Sequence, residues 1–167
     1  MRFLFILLSL IAWSASATGE ESTLCSSSEK ALFSCQAKAK IISVCSSNIS
    51  TPENAIVIYR YGVRDKEPEL EYSSEAGNFD DYFQYAHDSY PKGSIQELSF
   101  NVGKYVYTVH QDSHVYRPKS AGVFVEKDSK ELAYIECNTP SLTTDLYPLH
   151  KLTSNIHPVR NIGTLGP

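Results

Sequence analysis

Four cysteines, Cys25, Cys35, Cys45 and Cys137, can pair into two disulfides in three ways, and each way ties different stretches together. Local geometry ranks the three. If Leu32 to Ala37 and Ile41 to Cys45 form a hairpin around Lys38 and Ala39, residue 35 lies opposite residue 42 and Cys45 falls on the other face from Cys35. Two cysteines on opposite faces of a hairpin cannot bond. A shifted register would bring them together only by drawing Ile41 into the turn. The expected bridges are therefore Cys25 to Cys45 and Cys35 to Cys137. The second closes a loop of about 100 residues, which in the chain-entropy account stabilises by ~4 to 5 kcal/mol.

Disulfides require an oxidising compartment, and the start of the chain supplies a route to one. Arg2 precedes an apolar run from Phe3 to Trp13, interrupted by Ser9, and Ala15, Ser16 and Ala17 make a small-residue cleavage pattern. Residues 1–17 thus read as a secretory signal peptide, too short for a spanning helix of about 20 apolar residues. The expected location is secreted or periplasmic. Without Arg2, 14 basic side chains remain of the 15, against 19 acidic ones, so the mature net charge is near −5. That charge argues against nucleic acid as a partner and admits a cationic one.

Residues 18–138 read as one β domain. In Lys104 to His110, Tyr105, Tyr107 and Val109 alternate with Val106, Thr108 and His110, the period of a strand. Ile95 to Asn101 precedes it, with Leu98 and Phe100 on one face, and the two fold back through Val102 and Gly103. Further strands are expected at Ala55 to Tyr61, Glu69 to Tyr72, Tyr82 to His87, Ser120 to Lys127 and Glu131 to Cys137, with a polar connection from Gln111 to Lys119. The fold class is all-β: an antiparallel sandwich or barrel of about eight to nine short, disulfide-stapled strands. Residues 139–167 break the rhythm. Pro140, Pro148, Pro158 and Pro167 interrupt them, and although Leu142, Leu146, Leu149 and Leu152 recur at nearly helical spacing, Pro148 falls inside that run. A flexible tail is expected there.

No grouping points to catalysis. A nucleophile needs a positioned base, yet the cysteines are committed to bridges and no Ser lies in a Gly-flanked elbow. His110 and His114 stand four apart but on a strand leaving for a loop, without a third ligand. His87, His150 and His157 are isolated. Glu67, Glu69 and Glu71 alternate along one strand face, and Asp80 adjoins Asp81, patterns of a solvated face. No cofactor or metal is expected. Asn48, Ile49 and Ser50 form a glycosylation sequon. Tyrosine is abundant, with 11 in the chain. Most should fill the core, while Tyr85, Tyr90 and Tyr116, on loops or strand ends, are candidate contact residues, since Tyr combines a large apolar ring with a hydroxyl.

The series Cys25, Leu32-Phe33-Ser34-Cys35, Val44-Cys45, Tyr59-Arg60-Tyr61-Gly62, Glu69-Leu70-Glu71-Tyr72, Tyr85-Ala86-His87, Tyr105 to Val109, Ser120-Ala121-Gly122 and Cys137 resembles a group of small exported bacterial proteins without assigned activity, over residues 24 to 138. More distantly, an exported β domain whose early Phe-x-Cys strand is tied to a late Cys is similar to the periplasmic lysozyme inhibitors. Their Ser-Gly-x-x-Tyr loop enters the lysozyme cleft. This similarity implies contact roles for Ser120 and Gly122, although Ser120-Ala121-Gly122-Val123 has no matching Tyr. The expected function is a non-enzymatic binding protein acting on a protein or glycan outside the cytoplasm, with enzyme inhibition as one form. Alternatives are a small-ligand or glycan binder with a Tyr-lined groove, and a structural envelope component.

Overall fold

The computed structural model describes residues 23–138 and 143–160; the expected signal peptide and parts of the expected tail lie outside them. Nine main strands carry the fold: β1 (Lys30–Ala37), β2 (Lys40–Ser47), β3 (Ile56–Gly62), β4 (Leu70–Ser73), β5 (Gln84–Tyr90), β6 (Gly93–Val102), β7 (Tyr105–His114), β8 (Arg117–Lys127) and β9 (Lys130–Glu136). Two two-residue strands follow, β10 (Thr143–Thr144) and β11 (Ile156–His157). They form two sheets, ordered β10-β1-β2-β3-β4 and β11-β5-β6-β7-β8-β9, packed as an all-β sandwich. One helical turn, Phe79–Tyr82, precedes β5, so β5 begins two residues later than the expected Tyr82.

Alternation decides what faces the core. From the first sheet Phe33, Ile42, Val44, Val57 and Tyr59 point inward, and from the second Tyr85, Leu98, Phe100, Val109 and Val123. An aromatic cluster joins the layers. Tyr59 meets Phe100 with ring centroids 4.8 Å apart, Tyr72 stacks on Phe100 at 4.8 Å and meets Phe83 edge-on at 5.3 Å, and Tyr107 stacks on Phe100 at 5.4 Å. Burial pushes the Tyr59 phenol far above its ordinary pKa.

Both disulfides are formed, Cys25–Cys45 with Cα atoms 5.5 Å apart and Cys35–Cys137 with Cα atoms 5.6 Å apart. Cys35 lies opposite Ile42, so Cys45 is on the outer face. There the segment from Thr23 to Glu29 crosses the first sheet. The outer face carries a lateral row, Ser34, Ser43, Arg60 and Glu71, on neighbouring strands. Ser43 Oγ accepts from the Leu24 N–H at 2.9 Å, and Arg60 donates to Glu29 at 2.6 and 3.1 Å and to Glu71 at 2.7 Å. These bonds explain why an arm of low apolar content lies down on a sheet. Glu29 also closes a turn by accepting from the Ser26 N–H at 2.8 Å.

The central hairpin differs from expectation by one residue at its turn. Val102 pairs with Tyr105, so the chain reverses through Gly103 and Lys104 and Leu98 sits opposite Val109. This register is two residues from the one implied by a turn at Val102 and Gly103, and a shift of two preserves every face. Strand β7 also continues through Gln111 to His114, the stretch expected as a connection. It continues because β6 and β8 pair it on both sides.

The tail is the main departure. In place of a flexible segment, Thr143 to His157 closes one end of the sandwich: β10 pairs with β1 and β11 with β5, and Leu146 and Leu149 are fully buried. Pro148 lies in the first turn of a short 3-10 helix, Tyr147–Lys151, where its missing N–H costs nothing. Beyond β11 the chain crosses the outer face of the second sheet as far as Arg160. The Arg160 N–H donates to Glu97 at 2.7 Å, and its guanidinium lies 4.0 Å over the Phe124 ring and donates to Glu126 at 2.8 Å.

Candidate functional site: the paired hairpin tips

Two hairpins end side by side, β5 to β6 through Pro91 and Lys92, and β7 to β8 through Val115 and Tyr116. The Val115 N–H donates to the Lys92 carbonyl at 2.9 Å and fastens one tip to the other. Tyr90 lies across the junction. Its ring stacks with His114 at 6.0 Å, and its hydroxyl donates to Asp112 and accepts from Arg117 at 3.4 Å. A β-carbon on Gly93 would sit 2.3 Å from the Tyr90 ring, so only glycine leaves room for this packing. Burial, then the hydrogen bond to Asp112, push the Tyr90 phenol up.

Upon this base stand the most exposed large apolar side chains among the described residues, Val115 at 70 % and Tyr116 at 74 %. Tyr116 is held by His114, whose ring lies 5.8 Å away and whose Nδ1 accepts from the Tyr116 N–H at 3.1 Å, and by the Lys92 ammonium 4.7 Å over its ring. Two cations, Lys92 and Arg117, stand at the tips against one carboxylate, Asp112, which lies 3.7 Å from Arg117 and accepts from the Tyr90 hydroxyl. The acidic chain therefore carries a basic apex with two ordered, exposed apolar groups. Held in one conformation, such side chains lose little entropy on binding, and Tyr and Arg are the types that anchor interfaces.

The structure sorts the candidate residues. Tyr90 and Tyr116 come together at the tips. Ser120 is exposed on β8, opposite Asp112. Gly122 is buried, with the Tyr134 ring 2.6 Å from where a β-carbon would be. Tyr85 is fully buried and its hydroxyl has no hydrogen-bond partner; burial raises its pKa to about 12. Neither Gly122 nor Tyr85 can serve as a contact residue. Tyr85 does lie near the start of β5, but it pairs with Leu98 and so faces the core. Lys92, Val115 and Arg117 are not singled out by the sequence, and His114 enters there only beside His110 as a metal pair. An apolar Val115-Tyr116 pair within a polar run was the available signal.

Other ionisable groups singled out in the sequence make contacts within the fold. His110 is buried against Glu97, with Nδ1 2.9 Å from the carboxylate, and does not approach His114 as a metal pair would. Glu69 pairs with Lys40, Glu71 with Arg60, and Asp80 accepts from the Ser154 N–H and Oγ, both at 3.1 Å. Asn48 is exposed at the turn after β2, with φ 52°. Clefts lie elsewhere among the described residues, including one of about 290 Å³ beside the amino-terminal arm at Leu24, Arg60 and Glu71. One of about 280 Å³ is lined by Asp81, Tyr82, Gln84, Ser99 and Asn101 among others; one of about 830 Å³ lies between the β1–β2 turn and β9. Among the described residues no helix is long and apolar enough to cross a membrane.

Comparison with family models, with curated proteins and with solved structures found no match to this chain.

Proposed function

We propose that this protein is a non-enzymatic binding module that works outside the cytoplasm and holds a protein partner at its paired hairpin tips. The observation that carries this reading is the exposure of Val115 and Tyr116 on a base fixed by Tyr90, His114 and the Val115–Lys92 hydrogen bond. Support also comes from the leader-like residues 1–17 and the two disulfides. Enzyme inhibition is the specific form suggested by the resemblance to lysozyme inhibitors. Mature protein is titrated into c-type and i-type lysozymes, following activity and association. Inhibition abolished by Val115→Asp and Tyr116→Ala supports that form, and no association with either enzyme removes it. The tip reading itself falls if a partner binds these variants as tightly as the wild type.

A second reading rests on the cleft of about 280 Å³, where Tyr82 adjoins the polar Asp81, Gln84, Ser99 and Asn101, a composition suited to a glycan. A glycan array probed with wild type and Asn101→Ala separates the two readings: signal lost in Asn101→Ala favours the cleft.

A further inference from the structure

We propose that the outer face of the second sheet carries an arginine-binding recess, which Arg160 fills from within the chain and which an arginine side chain of a partner protein takes when the segment carrying Arg160 lifts. Two carboxylates create the demand for a cation. Glu126 on β8 pairs directly with Glu131 on β9, and like charges facing each other across two strands repel. Arg160 relieves this, its guanidinium standing 2.8 Å from Glu126 and 3.5 Å from Glu131. An aromatic floor lies beneath it: Phe124, 4.0 Å from the guanidinium, stacks with Tyr134 at 4.4 Å between ring centroids. A flat, weakly hydrated guanidinium can stack on a ring and bond to carboxylates at once, which the compact ammonium of lysine does less well. The recess therefore selects arginine rather than any cation.

Little else holds Arg160 in place. On the first sheet Arg60 meets Glu29 and Glu71 in a comparable clamp, but there the disulfide Cys25–Cys45 ties the crossing arm down. Residues 158–160 have no disulfide, none of them is fully buried, and the strand before them, β11, has two residues. A segment with so few buried contacts opens without the rest of the molecule unfolding. Opening parts the Arg160 N–H from Glu97, 2.7 Å away, while the contact of Glu97 with His110 does not depend on the segment. Phe124, Glu126 and Glu131 are then bared together for an incoming arginine. The acidic chain, with 19 Asp and Glu against 15 Lys and Arg, favours the approach of such a cationic partner. Glu126 pairs with Val106 and Arg117 with His114, so the recess lies toward the other end of β8 from the hairpin tips and does not depend on the tip reading.

The probe is N-acetyl-arginine amide, with N-acetyl-lysine amide as its counterpart, titrated into the mature protein and into Arg160→Ala, which keeps the backbone N–H to Glu97. NMR follows the ring resonances of Phe124 and Tyr134. In Arg160→Ala the arginine probe should give a saturable shift, with the lysine compound at least tenfold weaker, and Glu126→Gln with Glu131→Gln in that background should remove it. The wild type, already filled, should need at least tenfold more probe, and as its rings shift the Arg160 amide should exchange faster. The wild-type measurement requires no substitution and stands by itself. No shift in Arg160→Ala, an equal response to the lysine compound, or wild-type rings that shift while the Arg160 amide stays protected overturns the proposal.

Discussion

Removing the two disulfides separately should expose their unequal roles. Cys35–Cys137 spans 102 residues and Cys25–Cys45 spans 20. In the chain-entropy account, these separations correspond to ~4.7 and ~3.3 kcal/mol at 25 °C, a gap of ~1.4 kcal/mol or about tenfold in the folding constant. Position widens the gap. Cys35 and Cys137 lie in the core between the sheets, so Cys35→Ala with Cys137→Ala also leaves a small void, worth ~1 kcal/mol. Cys25 tethers only the arm, and Arg60 still grips Glu29 after Cys25→Ala with Cys45→Ala. The arm can detach while both sheets persist, a local opening that costs less than global unfolding. Against a total of about 5–15 kcal/mol, loss of the long bridge should bring the protein close to unfolding at 25 °C. Urea denaturation followed by circular dichroism measures the difference. With m of about 2 kcal/mol/M, the midpoint should fall by ~2 to 3 M for the long bridge and by ~1.5 M or less for the short one. Equal losses, or a larger loss for Cys25–Cys45, would refute the reasoning and make the arm part of the cooperative core.

Tyr85→Phe should be neutral or stabilising by up to ~1 kcal/mol in the same assay, because it removes a buried hydroxyl that has no partner. Gly122→Ala should destabilise by ~1 to 3 kcal/mol, since the new methyl would lie 2.5 Å from the Ile135 carbonyl oxygen and 2.6 Å from the Tyr134 ring. The hydrogen bond from Arg60 holds the Glu29 carboxyl below its ordinary pKa, with burial opposing. A depressed acid contributes stability above its unfolded pKa of about 4.3 and loses it as pH falls toward its folded value. Urea midpoints measured from pH 6 down to pH 3 should therefore fall more steeply for the wild type than for Glu29→Gln.

What could be read from the sequence depended on side-chain alternation. The faces of β6 and β7 follow from Leu98 and Phe100, and from Tyr107 and Val109, without knowing the turn, because a register error of two residues leaves faces intact. The disulfide pairing was legible for the same reason: Cys35 and Cys45 differ in face wherever Lys38 and Ala39 make the turn. Element ends were less legible. Nothing in Gln111 to His114 alternates in hydrophobicity, and that stretch is a strand because β6 and β8 flank it, with the Gln111 amide donating to Gln96 at 3.2 Å.

The tips and the tail share a deeper reason for being hidden: both are made by contacts between residues far apart in the chain. Tyr90 acquires its setting from His114 and Asp112, and Arg160 from Glu97, Phe124 and Glu126, pairings that no local pattern announces. In the tail, Pro148 reads as a helix breaker, yet a 3-10 turn admits proline at its start and needs only three-residue spacing to bury both Leu146 and Leu149. The same logic distinguishes the two outer faces from the apex. The row Ser34, Ser43, Arg60 and Glu71 is crossed by the amino-terminal arm, and Glu97 in the second sheet by the segment ending at Arg160. Polar groups on both faces thus find partners within the chain. Val115 and Tyr116 differ: they are held in place from below and remain open above, and the proposed role of the tips rests on that contrast.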